Sequence, residues 1–278
     1  MNLTLSDSKK IVKLATLFAN LKSLSSNVVL HFKTEGLYIQ SMDDSHCSLL
    51  ECNLLSSWFN AYTVLEETCR VGIGLQMFHK VLQSRQENQS LMLSLDSASD
   101  VIVVAFESSD PARTSFDKRF ELPLMNIEMD LVEIKEHTEV DLELDGKLFT
   151  DLIHQLNMFD DSLTLVFQED VIDLISSGLE GSMKAVIKIQ DVKSYVIPEG
   201  PVLKQSYSLK YLQLMCQFNK LASEMVLGFG EHMPMSMRYN VSDDGENYVR
   251  IHLAPKINPD AEDGPADAEH ADDGDDEY

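Results

Sequence analysis

Asp43, Asp44 and His46 bring two carboxylates and an imidazole close enough in sequence to share a divalent cation, and Val71-Gly72-Ile73-Gly74 is half of a glycine-rich phosphate loop. Neither spacing completes a site. The acidic trio lies in a turn with no second ligand cluster at usable spacing, and a GxG pair without a third glycine or a βαβ setting does not cradle a phosphate. Cys47, Cys52, Cys69 and Cys216 form no CxxC pair and no finger spacing, so they are expected as reduced, half-buried thiols with no disulfide and no structural zinc. No catalytic residue, metal ligand or cofactor is assigned, and the expected chemistry is recognition rather than reaction. The chain is not expected to be an enzyme.

A surface for recognition is expected in LPLMNIEMDLVEIKEH, residues 122–137, near the middle of the chain. Leu122, Leu124, Ile127, Met129, Val132 and Ile134 alternate loosely with polar residues, the pattern of an extended strap lying with one face on a surface. Pro123 near its start removes a backbone donor, which helices tolerate only in their first turn.

The strap joins two halves of similar design. Residues 8–24 place Ile11, Leu14, Leu17, Phe18, Leu21 and Leu24 at helical spacing, with Ser6 or Asp7 to cap the start. Short strands follow, VVLHF, GLYIQ and SLLECNL, separated by turn residues. The pattern restarts with LQMFHKVLQSR (75–85) before LMLSLD and VIVVAF. It restarts again with GKLFTDLIHQLNM (146–158) before LTLVF and VIDLISSG, and with SLKYLQLMCQFNKL (208–221) before MVLGFG, MSMRYNV and YVRIHLA. Each helix is too short to stand unpacked, so the four copies must share sheets. The expected class is α+β, two similar domains with two helix-plus-antiparallel-strands modules each.

At 278 residues and 44% hydrophobic content the chain can form two ordinary domains. No run approaches the roughly 18 apolar residues of a membrane span, and MNLTLSDSKK lacks the order of a signal peptide, so an intracellular, soluble protein is expected. The net charge is −24, but residues 258–278 hold ten carboxylates with no Lys or Arg, leaving −14 on the body. That tail has almost nothing to bury and is expected to be disordered. The expected boundaries are 1–121, a strap at 122–137, 138–257 and the acidic tail at 258–278.

GLYIQSMDDSHCSLLECNL (36–54) resembles the most recognisable segment of the eukaryotic and archaeal sliding clamps, the proliferating cell nuclear antigen (PCNA) family. LAPKI (253–257) resembles that family's closing signature, SLKYLQLM fits its fourth helix, and the similarity runs through nearly the whole chain before the tail. The tail and many substituted surface positions suit a divergent or viral member.

The resemblance implies a DNA-clamp fold and a homotrimeric ring that encircles duplex DNA without reading bases and tethers DNA polymerase, a clamp loader and other replication or repair proteins. Helices would line the channel and touch phosphates weakly. Lys9, Lys10, Lys13 and Lys22, Lys80 and Arg85, and Lys210 and Lys220 supply bases on three helices, while on the third a usually basic position is His154, with acidic Asp151 nearby. Partners would insert a glutamine-and-aromatic motif into a pocket formed by Met42, His46, Cys47 and Leu49, by Val132 and Ile134 of the strap, and by Pro234, His252, Ala254, Pro255 and Ile257. Cys47 stands where a valine is usual, His252 where an aromatic is usual and Lys135 where the strap has proline, giving a smaller, more polar floor. Ring closure would pair an edge strand at 116–122, with Phe116, Phe120 and Leu122, with one at 183–189, with Met183, Val186 and Ile187. The family's ubiquitin-acceptor lysine aligns with Glu169.

Two other readings remain. One is a subunit of a heterotrimeric checkpoint-type clamp, which shares the fold but not self-assembly. The other is a monomeric viral processivity factor, which needs a strongly basic face that 22 Lys+Arg against 46 Asp+Glu hardly provide. The expected location is the nucleus for a cellular protein, or the host nucleus or a cytoplasmic replication site for a viral one, with no membrane partner.

Overall fold

Asp7 turns the chain into its first helix, its carboxylate accepting from the backbone N–H groups of Lys9 and Lys10 at 2.8 and 3.4 Å. Asp145 repeats the device for the third, accepting from Lys147 N and Leu148 N. In a computed structural model that describes residues 1–65, 67–96, 98–108, 115–134, 138–198, 203–231 and 233–256, the helices are α1 (Ser8–Leu21), α2 (Leu75–Gln83), α3 (Gly146–Leu156) and α4 (Leu209–Cys216). All end earlier than the apolar spacing predicts. Leu24 stays buried, but its N–H bonds to Leu21 O in a tightened turn, and α4 passes into a 3-10 turn at Gln217–Lys220. A tightened turn keeps apolar residues near the same face, so spacing alone does not mark where the α-helix stops.

Each module begins with a strand that the sequence reading passes over, so the repeat is β-α-β-β-β. The first has β1 (Asn2–Leu5), α1, β2 (Asn27–Lys33), β3 (Gly36–Met42) and β4 (Ser48–Leu55), with a short β5 (Ala61–Thr63) after it. The second has β6 (Thr68–Gly74), α2, β7 (Gln89–Ser94), β8 (Val101–Ser108) and β9 (Lys118–Pro123). The third has β10 (Val140–Asp145), α3, β11 (Ser162–Phe167), β12 (Val171–Gly178) and β13 (Gly181–Lys188), followed by β14 (Ser194–Val196). The fourth has β15 (Leu203–Ser208), α4, β16 (Glu224–Phe229), β17 (Met235–Asn240) and β18 (Tyr248–Leu253).

The strands form three antiparallel sheets, ordered β5-β1-β7-β8-β9, β14-β10-β16-β17-β18-β4-β3-β2-β6 and β13-β12-β11-β15. The nine-stranded sheet crosses the middle of the molecule where β18 pairs with β4, from Tyr248 opposite Asn53 to Leu253 opposite Ser48. Backbone pairing therefore joins the halves as well as the strap. The helices make one layer: α1 packs on α2, α3 on α4, and α1 meets the turn after α4, where Asn20 Nδ2 donates to Gln217 O at 3.0 Å. Phe18 against Phe78 and Phe167 against Phe229 fill the two halves of the core beneath it.

The strap starts later than expected, because Leu122 and Pro123 still belong to β9, opposite Ile102 and Val101. Proline is tolerated there because β9 is an edge strand. From Leu124 the chain leaves the sheet and is pinned at intervals: Met125 N donates to Gly72 O at 2.9 Å and Arg70 Nη2 to Met129 O at 2.6 Å. Val132 is held at two points, its N–H to Gln40 Oε1 at 2.7 Å and its carbonyl from Gln40 Nε2 at 2.9 Å. Residues 135–137 lie outside the described residues.

Gly72 is required by the close approach of the strap, since a Cβ there would stand 2.2 Å from Met125 O. Gly72→Ala is expected to push the strap off β6 and cost about 1–3 kcal/mol. Urea unfolding checks this, and an unchanged midpoint would refute the contact.

Candidate functional site: an apolar cavity under the strap

The loop between β3 and β4 is shaped by Asp43, which accepts from Ser48 N and Ser48 Oγ, from Ser45 N at 3.0 Å, and from the Tyr211 hydroxyl on α4 at 2.9 Å. The carboxylate is thereby occupied by donors. His46 takes a left-handed backbone (φ 55°) to complete the turn, and Ala254 N donates to Cys47 O at 2.9 Å, fastening the loop to the end of β18. Among the described residues no three His, Cys, Asp or Glu side chains gather into a metal site. Gly74 of the other chemical motif is the residue preceding α2.

Burial alone would raise the Asp43 pKa, but the Ser48, Tyr211 and Ser45 donors outweigh it and hold the group below its ordinary value. A depressed carboxylate contributes stability that is present above the unfolded-state value, ~3.9, and lost as pH falls through the folded one. Asp43→Asn is therefore expected to cost about 1.5–3 kcal/mol near neutral pH, with the difference shrinking in acid. Denaturant titrations across that range measure it, and parent-like stability at pH 7 would refute the role.

Against this loop lies a cavity of about 430 Å³. Met42, His46, Cys47 and Leu49 line one side, Val132 and Ile134 of the strap another, and Pro234, His252 and Ala254 the third. Nine of the expected pocket residues are thus brought together from four separated segments. Pro255 is half-buried beside the cavity but is not among its lining residues, and Ile257 lies outside the described residues. Ser48, Glu133, Thr138, Met233 and Ser236 also line it and were missed. Ser236 was within reach of a strand argument, since it pairs with His252 across β17 and β18.

Beneath the floor is a buried ionic cluster. Glu51 on β4 lies 3.4 Å from Arg250 Nη1, 4.0 Å from His252 Nε2, and accepts from the Tyr38 hydroxyl at 3.3 Å. Burial would raise the Glu51 pKa, but His252, Arg250 and Tyr38 outweigh it and leave it lowered. Burial and the Glu51 charge push the Tyr38 phenol up to about 12. Gln40 Nε2 also donates to the Tyr38 hydroxyl at 3.2 Å, so the anchor of the strap and the floor of the cavity share one polar network.

The basic residues divide into two groups. Lys10 Nζ donates to Trp58 O and Lys13 Nζ to Val241 O, each at 2.7 Å, and Lys22 Nζ sits 3.4 Å from His79 Nδ1. Arg85 is consumed by Gln89 O, Glu87 O and Ser8 Oγ, making it a structural clamp more than a surface charge. Lys9, Lys80, Lys210 and Lys220 are exposed and meet no carboxylate among the described residues. Exposed His154 on α3 faces Gln213 of α4, Nδ1 to Nε2 3.3 Å, and exposed Lys147 gives that helix a base that the sequence reading overlooked.

The expected edge strands are β9 and β13, each paired on one side only among the described residues. Phe116 precedes β9 rather than lying in it, and is 83% exposed. Phe120 and Leu122 lean inward onto the chain's own core, Phe120 edge-on to Phe106, as do Met183 and Ile187 on β13. Val186 points away and is half exposed.

Residues 6–133 match the family model described as proliferating cell nuclear antigen, N-terminal domain. Over 262 residues the chain is 28% identical to proliferating cell nuclear antigen 1 of Plasmodium falciparum, covering 89% of this chain and 94% of that one. It is 27% identical over 239 residues to proliferating cell nuclear antigen 2 of Drosophila melanogaster (86% and 91% covered). It is 26% identical over 247 residues to DNA polymerase sliding clamp 1 of Thermococcus kodakarensis (86% and 94% covered). No helix among the described residues is long and apolar enough to cross a membrane.

Proposed function

The chain belongs to the sliding clamp family and resembles proliferating cell nuclear antigen, and from that premise we propose that three copies close into a ring around duplex DNA. The observation that carries this reading is the pair of edge strands, β9 and β13, ending sheets built from opposite halves of the chain. Joining β9 of one copy to β13 of the next would satisfy both edges and cover Phe116 and Val186. Repeating a heterologous contact around a threefold axis closes a ring. The single helical layer would face the channel, where Lys9, Lys80, Lys147, Lys210 and Lys220 meet phosphates without reading sequence. Loose contacts of this kind allow sliding while the ring prevents escape.

The cavity under the strap is the tether in this proposal. It would take the glutamine-and-aromatic segment of a polymerase, clamp loader or repair protein as apolar plugs. The residues needed are non-catalytic, so the protein acts as a scaffold and not as an enzyme. Light scattering tests the assembly: about three times 31.3 kDa is expected without any partner. A monomer at micromolar concentration would overturn the homotrimer in favour of a checkpoint-type subunit.

A further inference from the structure

Cross-strand pairing sets Gln40, Glu51 and Arg250 side by side on β3, β4 and β18, and directly opposed residues in antiparallel strands point to one face. The adjacent row on that face, Met42, Leu49, His252 and Ser236, lines the cavity. A buried polar row therefore runs beside the apolar one. It also holds the strap: among the described residues, Val132 is the single point between 130 and 134 at which the strap hydrogen-bonds to the body, and both bonds go to the buried side chain of Gln40. A primary amide fits Val132 in one orientation only. Turned over, its Nε2 would face the Val132 N–H, donor against donor, and its Oε1 the Val132 carbonyl.

The Tyr38 hydroxyl selects the fitting orientation, because it accepts from Gln40 Nε2 at 3.2 Å while donating to Glu51 Oε2 at 3.3 Å. A carboxylate only accepts, so Glu51 takes the hydroxyl proton and leaves the oxygen's lone pairs to Gln40. Arg250 Nη1 at 3.4 Å faces the Glu51 charge from across the junction of the two halves. Without that acceptor the hydroxyl could donate to Gln40 Oε1 instead, in competition with the Val132 N–H.

We propose that Tyr38 is a positioning residue for partner binding, oriented by Glu51 and acting through Gln40 to hold Val132, and with it Ile134, in the wall of the cavity before a partner arrives. The inference rests on reading the cavity as a partner site. Tyr38 does not line the cavity, so its effect reaches a partner only through the strap. A wall ordered in advance lowers the ordering cost of binding.

Tyr38→Phe keeps the ring, which sits near His31 and under Lys33 Nζ at 5.0 Å, and removes only the hydroxyl. Calorimetry of a glutamine-and-aromatic peptide against the full-length variant is expected to show an affinity loss of about five- to tenfold, the size of one net hydrogen bond. Hydrogen exchange should show a faster Val132 amide with β3 and β4 unchanged. Gln40→Met should lose at least as much, and Tyr38→Phe should add nothing in that background, since the hydroxyl has no other route to the strap. Glu51→Met combined with Arg250→Met removes the acceptor without stranding a buried guanidinium, and should repeat the Tyr38→Phe loss. Parent-like affinity or parent-like Val132 exchange in Tyr38→Phe, or losses that add in the Tyr38→Phe/Gln40→Met chain, overturns the relay while leaving the cavity's role standing. Faster exchange throughout β3 and β4 would make the hydroxyl a general support of the sheet and also overturns it. Parent-like affinity in the Glu51→Met/Arg250→Met chain overturns the part given to Glu51. Failure of the peptide to bind the parent chain refutes the cavity as a partner site, and the inference with it.

Discussion

A chain carrying Phe116→Asp with Val186→Glu is expected to run as a particle of 31.3 kDa where the parent runs at about three times that mass. Both side chains are at least half exposed in the single chain, at 83% and 50%, so charge there leaves the subunit's own packing intact. In a closed ring the same carboxylates would be desolvated in every interface, at several kcal/mol each without a partner. Phe120→Asp is the cruder test, since Phe120 packs on Phe106 and its loss would harm the fold as well as the edge. Light scattering gives the mass, and a circular dichroism melt confirms that the variant is folded. A folded double variant that stays trimeric would move the interface elsewhere.

Ile134→Asp should abolish binding of a glutamine-and-aromatic peptide while leaving the trimer whole. The side chain lines the cavity from the strap, and a carboxylate there must stay hydrated where an apolar plug would otherwise exclude water. A penalty of about 3 kcal/mol or more corresponds to at least a hundredfold loss of affinity. The strap itself should hold, because its anchor is the two-point bond between Val132 and Gln40, which the substitution does not touch. Calorimetry showing parent-like affinity would remove the strap from the site.

Alternation and helical spacing in single segments made the four helices and most of their following strands legible, because those signals are local. The leading strands escaped for physical reasons visible in them. β1 has four residues, and β6 carries two glycines, at one of which, Gly72, the strap leaves no room for a Cβ. The strap's polar and apolar order was legible too, but its start was not, since only pairing with β8 shows that Leu122 and Pro123 remain in a sheet.

By itself the sequence determined the α+β class, the repeated module, the acidic charge of the tail and, through resemblance, nine residues of the cavity wall. Tertiary structure alone decided which charges are available and which surfaces are open. Lys13 looks like a channel base in sequence, yet its ammonium is held by Val241 O, 228 residues away. Glu51 reads as an ordinary strand carboxylate, yet β4 pairs with β18 and buries it beside Arg250 and His252. A side chain's type is local, but its hydrogen-bond partners and its exposure are set by segments distant in the chain. No periodicity within one segment records them.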